Sequence, residues 1–161
     1  LYAIGLIAGN LVNVYSDNAG KDGWEKITLA STIGGMVINT AGVTLAHGME
    51  HPASGLRDIV HGKGLAALTP AIIEASYTGN ESKFADIAKL FGGKEAKDLA
   101  LKIRELLKSI NLNCTLSDLG IEEKDIPWMA ENCMKVSAAS VANNPVVFTQ
   151  EQIADIYKKA L

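Results

Sequence analysis

Apolar residues in this chain recur at helical spacing, and no stretch alternates with the period of two that a half-buried strand needs. Phe84, Ile87, Ala88 and Phe91 mark one amphipathic face, and Leu99, Ile103, Leu106 and Leu107 mark another. Ile153, Ile156, Tyr157 and Leu161 form a third, behind a Thr149/Gln152 capping box. The run Val146-Val147-Phe148 is too short for a strand. The expected architecture is therefore an all-α bundle of roughly eight helices, separated by Gly, Pro and Asn signals.

The spacing predicts helices over residues 1–15, 24–39 and 43–51, the last stopped by Pro52, which cannot donate to a helix ladder. A bend over 53–60 follows, then a helix over 61–77 kinked at Pro70. Further helices are expected over 81–91 and 95–110, and from Pro127, a favoured first-turn residue, to about residue 139. The connector 111–120 can dock Leu112, Leu116 and Leu119 on the core. Trp24 and Trp128 are expected as core anchors. Residues 27–46 carry no charge over the length of a membrane span, but six Ser, Thr and Asn side chains and three glycines interrupt them. A helix buried on all sides is the expectation, with no membrane partner.

The length suits one domain, and 48% hydrophobic with 20% charged residues argues against wholesale disorder. A net charge of −3 lacks the basic excess of a nucleic-acid surface. Cys114 and Cys133 form neither a disulfide framework nor a Cys-x-x-Cys metal pair, which points to a reducing cytoplasm. The chain opens at Leu1 in mid-pattern, as expected of a piece of something longer.

The chemical signal is the segment AHGMEHPASGLRDIVHGKG, residues 46–64, which holds all three histidines. Imidazole is the commonest metal ligand and the usual acid/base group near neutral pH. Three arrangements are open. The histidines can be structural, satisfied by hydrogen bonds in a binding or scaffold module. His47 and His51, four apart on one helix face and about 6 Å from each other, can grip one metal. The letters His47-Gly48-Met49-Glu50-His51 then form an inverted zincin pattern with Glu50 as base, although no strands are present for a zincin sheet. Alternatively, His47 at the end of one helix and His61 at the start of the next meet at a divalent metal, leaving His51 as a proton carrier. Asp58 or Ser54 can then orient a ligand imidazole, or Asp58 can cap the following helix; Glu50 is expected to be solvated or paired.

The third arrangement resembles the iron-dependent (group III) alcohol dehydrogenases. The resemblance is carried by Ala30-Ser31, Gly35, Asn39 and Gly42 leading into Leu45-Ala46-His47-Gly48-Met49-Glu50-His51-Pro52, then His61-Gly62-x-Gly64-Leu65-Ala66 and Leu68-Thr69-Pro70. Phe84-Ala85-Asp86-Ile87-Ala88, Phe91-Gly92-Gly93, Asp125-Ile126-Pro127 and Asn144-Pro145 ahead of Thr149 to Ile153 extend it along the whole chain. It implies the C-terminal helical domain of a dehydroquinate synthase-like fold, with a nucleotide-binding α/β domain that this chain lacks. It implies His47 and His61 as ligands of Fe²⁺, or of Zn²⁺ in some members, and His51 beside the nicotinamide of NAD or NADP as catalytic proton relay. It also implies a small alcohol or aldehyde as substrate. The two other ligands, an Asp and a His one turn apart, are expected upstream of Leu1, so the chain alone is expected to be inactive. A homo-oligomer is compatible with the resemblance.

Overall fold

The computed structural model describes residues 1–161, all helix, turn and loop with no strand. Nine α-helices follow in order: α1 Tyr2–Tyr15, α2 Gly20–Ala41, α3 Leu45–Arg57, α4 His61–Ser76, α5 Glu81–Leu90, α6 Asp98–Ser109, α7 Ile126–Val136, α8 Ala138–Ala142 and α9 Gln150–Ala160. Short 3-10 turns at Tyr77–Asn80 and Glu123–Asp125 complete the set. The chain divides into two compact units, each built from two separate stretches of sequence.

The first unit comprises Leu1–Gly42 and Glu81–Asn111. Here α1 packs on α2 and α5, and α5 packs on α6. Gly92 ends the α5 segment with φ +79°, a conformation that favours glycine. Helix α6 starts at Asp98, three residues later than the apolar spacing predicts. The Asp98 carboxylate accepts the backbone N–H groups of Lys94 and Glu95, folding those residues into a turn, and the two bonds hold its pKa below the ordinary carboxylate value. Two expectations fail in this unit. Helix α2 buries only Gly23 and Ala30, while Leu29, Met36, Val37 and Ile38 are exposed. Its threonine hydroxyls need no partner helix, because Thr28, Thr32 and Thr40 each donate back to the carbonyl four residues earlier. Trp24 is 54% exposed and anchors no core. No single helix of the chain is long and apolar enough to cross a membrane.

The second unit, Val43–Asn80 with Leu112–Leu161, holds the main hydrophobic core. Its centre is Leu45, Met49, Ala53, Leu68, Leu116, Ile121, Ile126, Met129, Ile153 and Tyr157, each essentially excluded from solvent. Helix α3 packs on α4, α7 and α8, while α9 closes against α4 and α7. The connector docks as expected: Leu116 is buried, and its N–H donates to the carbonyl of Ala160 at 2.8 Å. The Thr149/Gln152 capping box starts α9, and Pro127 lies in the first turn of α7. Trp128, one residue on, is 47% exposed, against expectation. Asn144, ahead of Pro145, is buried and donates to Ser76 Oγ (3.0 Å) and the Val146 carbonyl (2.8 Å).

Pro52 does not stop α3. The helix runs on to Arg57, with Pro52 buried inside it, and the expected bend over 53–60 contracts to residues 58–60. A proline there forfeits one ladder bond. Burial of Met49, Pro52 and Ala53, and two tethers, hold the segment helical against that loss. Tyr157 Oη donates to the Met49 carbonyl at 2.5 Å. Arg57 donates through Nη2 to Asp125 Oδ2 (2.6 Å) and through Nε to the Gly120 carbonyl (2.9 Å). Asp58 ends the helix in the left-handed region (φ +50°) and does not cap α4, whose N-cap residue is Val60.

Two outcomes follow from this core. Tyr157→Phe keeps the ring and removes one buried hydrogen bond, so urea unfolding of the variant should register a loss of about 1 kcal/mol. An unchanged midpoint would contradict the tether. Burial pushes the Cys133 thiol from its ordinary value of 9.0 up to about 11. The folded state therefore holds the proton, and this contribution to stability is complete below the ordinary value and lost as pH rises through the folded one. Alkylation at about pH 8, read by peptide mass spectrometry, should label the half-buried Cys114 in the native protein and Cys133 only after denaturation.

Candidate metal centre

All three histidines lie in the second unit, on two helices joined by a three-residue turn. His47 and His51 are one turn apart on α3, and their ring centroids are 6.1 Å apart. His61 is the first residue of α4. The left-handed Asp58, whose N–H donates to the Ser54 carbonyl at 2.8 Å, turns the chain so sharply that His61 comes back beside α3. Its centroid is 5.2 Å from that of His47 and 5.7 Å from that of His51. Three imidazoles thus share one small space. His47 is half-buried, and His51 and His61 are exposed.

Glycines permit the approach. A Cβ on Gly48 would stand 3.2 Å from the Cβ of Ser137 and 3.3 Å from that of Ser140, so the bare backbone lets α3 lie close to α8. A Cβ on Gly64 would stand 2.7 Å from Glu50 Oε1.

Glu50 is 0% exposed and paired, not solvated. Its Oε2 accepts from His61 Nδ1, and its Oε1 accepts from the Ser54 hydroxyl one turn along α3. Ser54 also lies 3.0 Å from the Ile59 carbonyl. Of the two residues weighed for orienting an imidazole, Ser54 reaches His61 through Glu50. Asp58 is exposed at the turn. The inverted zincin reading fails on the same observation. A general base needs a carboxylate oxygen open to water, whereas both oxygens of Glu50 face protein donors inside the fold.

Burial, and then the neighbouring His61 and His51, lower the pKa of His47 from its ordinary 6.5, with Glu50 opposing weakly. A lowered value keeps the ring in the neutral form that a metal requires. Two imidazoles on one ion, with metal–nitrogen bonds of about 2.1 Å and a near-tetrahedral angle, place their centroids roughly 5 Å apart. The His47–His61 pair fits that separation. Imidazole nitrogen also suits Fe²⁺ and Zn²⁺. The tightest group of donor atoms is different: Glu50, His51 and His61 each offer one atom within 4.8 Å of the others. Sequence spacing foresaw the three rings but not the carboxylate behind them. The available signal was the Glu50/Ser54 spacing of four on a helix, with Gly64 as the bare position opposite.

Comparisons with known proteins cover the whole chain. The curated 1,3-propanediol dehydrogenase of Klebsiella pneumoniae is 35% identical over 168 residues, spanning 99% of this chain and 43% of that protein. Lactaldehyde reductase of Escherichia coli (strain K12) is 30% identical over 168 residues, covering 98% of this chain and 42% of its own length. A crystal structure of 1,3-propanediol oxidoreductase superposes with a TM-score of 0.90 at 34% identity, over 99% of this chain and 44% of that one. The chain thus spans less than half the length of these relatives. Its residues 1–161 match the C-terminal part of the Fe-containing alcohol dehydrogenase family, and the chain belongs to that family.

Proposed function

We propose that this chain is the metal-holding helical domain of an oxidoreductase that interconverts a small alcohol with its aldehyde or ketone using NAD or NADP. The observation that carries the reading is the 5.2 Å separation of the His47 and His61 rings, from two helices, with His51 alongside. Family membership supports iron as the metal, with Zn²⁺ as an alternative. The relatives named for 1,3-propanediol and lactaldehyde support an alcohol or aldehyde as substrate.

In this reading His47 and His61 hold the ion through neutral ring nitrogens. Ligands from the Asp and His expected upstream, together with the nucleotide-binding domain, complete the site. When bound, the metal supplies a Lewis acid that makes the alcohol proton easier to lose, and the nicotinamide supplies the hydride acceptor. His51, exposed beside both rings, takes that proton at its imidazole nitrogen and passes it to solvent. Gly62, exposed in the first turn of α4 with open space beside its Cα, leaves room where substrate or cofactor approaches.

A second arrangement has a specific observation in its favour: the donor atoms of His51, His61 and Glu50 cluster more tightly than any set that includes His47. It makes His51 the second imidazole ligand and frees His47.

Metal analysis of the intact protein tests both. Single His47→Ala and His61→Ala variants are expected to lose most of the bound iron or zinc, while His51→Ala retains it and loses turnover. Metal loss in His51→Ala with retention in His47→Ala would favour the second arrangement. No bound metal in the wild type, and no effect of chelator on its unfolding midpoint, would instead favour structural histidines.

A further inference from the structure

A carboxylate removed from water must find donors or carry a large desolvation penalty. Glu50 is fully buried, and the fold supplies those donors at both oxygens: the Ser54 hydroxyl at Oε1 and His61 Nδ1 at Oε2. The Nδ1 bond has a consequence at the other side of the ring. When Nδ1 carries the proton, the lone pair sits on Nε2, the nitrogen facing away from Glu50. The ring is also fixed in rotation, because the carboxylate that grips it is itself held by Ser54 and confined by the bare Cα of Gly64.

We propose that Glu50 is a positioning residue that sets the tautomer and direction of His61 as a metal ligand, with Ser54 and Gly64 fixing the carboxylate in turn. The role rests on His61 holding the metal, as proposed above. It differs from direct ligation, since neither oxygen of Glu50 is free of a protein donor. Outer carboxylates of this kind tune metal affinity through the imidazole they hold.

The experiment uses the intact, metal-free protein with Zn²⁺ as probe in chelator competition, and Co²⁺ for spectroscopy. Glu50→Ala should weaken Zn²⁺ binding by about 10–100-fold. Glu50→Gln, whose carbonyl oxygen can still accept from Nδ1, should recover part of that loss. Gly64→Ala forces the carboxylate aside without altering it, so it should weaken Zn²⁺ binding as well, and it carries the test if Glu50→Ala does not fold. In ¹⁵N spectra of the metal-free protein, His61 should be the Nδ1–H tautomer in the wild type and lose that preference in Glu50→Ala. A purely structural role would lower the unfolding midpoint of the metal-free variants and leave Zn²⁺ affinity within about twofold of wild type, which would overturn the proposal. So would the loss of one Co²⁺ ligand in Glu50→Gln by X-ray absorption, which would place Glu50 on the metal itself. His61→Ala binding Zn²⁺ as tightly as wild type would reject the ligand assignment beneath the proposal. Failure of the Glu50 and Gly64 variants alone would leave that assignment standing.

Discussion

The second unit depends on a carboxylate placed where water cannot reach it. Glu50 sits on the inner side of α3 and is excluded from solvent. Leaving it unpaired would cost far more than a typical hydrogen bond returns. The local chain meets the demand with a serine one turn on and the first residue of the next helix. With Asp58 turning the chain, the Glu50–His61 contact holds the start of α4 against α3, where the three imidazoles converge. The same packing allows no side chain at position 64.

The surroundings of α3 are arranged to keep that geometry still. Tyr157 ties the Met49 carbonyl to α9, and Arg57 ties the far end of the helix to Asp125 and Gly120. Gly48 lets α8 close on the face next to His47. A proline inside the helix is tolerated because these contacts, not the missing ladder bond, decide its course. Side chains on rigid helices hold their angles better than side chains on loops. The histidine segment has that character even though a three-residue turn joins its two helices.

The two units use apolar residues differently. Helix α1, the most hydrophobic of the chain, buries only Val14, and α2 buries only Gly23 and Ala30, while the extended core belongs to the second unit. Hydropathy alone would have placed α1 in that core. Burial follows which helix faces find partners, and the threonines of α2 satisfy their own hydroxyls within the helix.

Local signals were enough for the helical class, for the capping box that starts α9, and for the placing of His47 and His51 about one turn apart on a single face. They also marked His61 as a helix start, which it is. These features depend on neighbours within four residues, so a linear reading reaches them. The passage of α3 through Pro52 depends on Tyr157, Asp125 and Gly120, distant in the chain, the exposure of Trp24 and Trp128 on which helix faces find partners, and the burial of Glu50 on the return of α4 beside α3. Residue order determined a helical protein with three histidines at metal-binding spacing. Only the tertiary structure decided that a buried carboxylate stands behind one of them, because a charge can be buried only where separate turns of chain bring it donors.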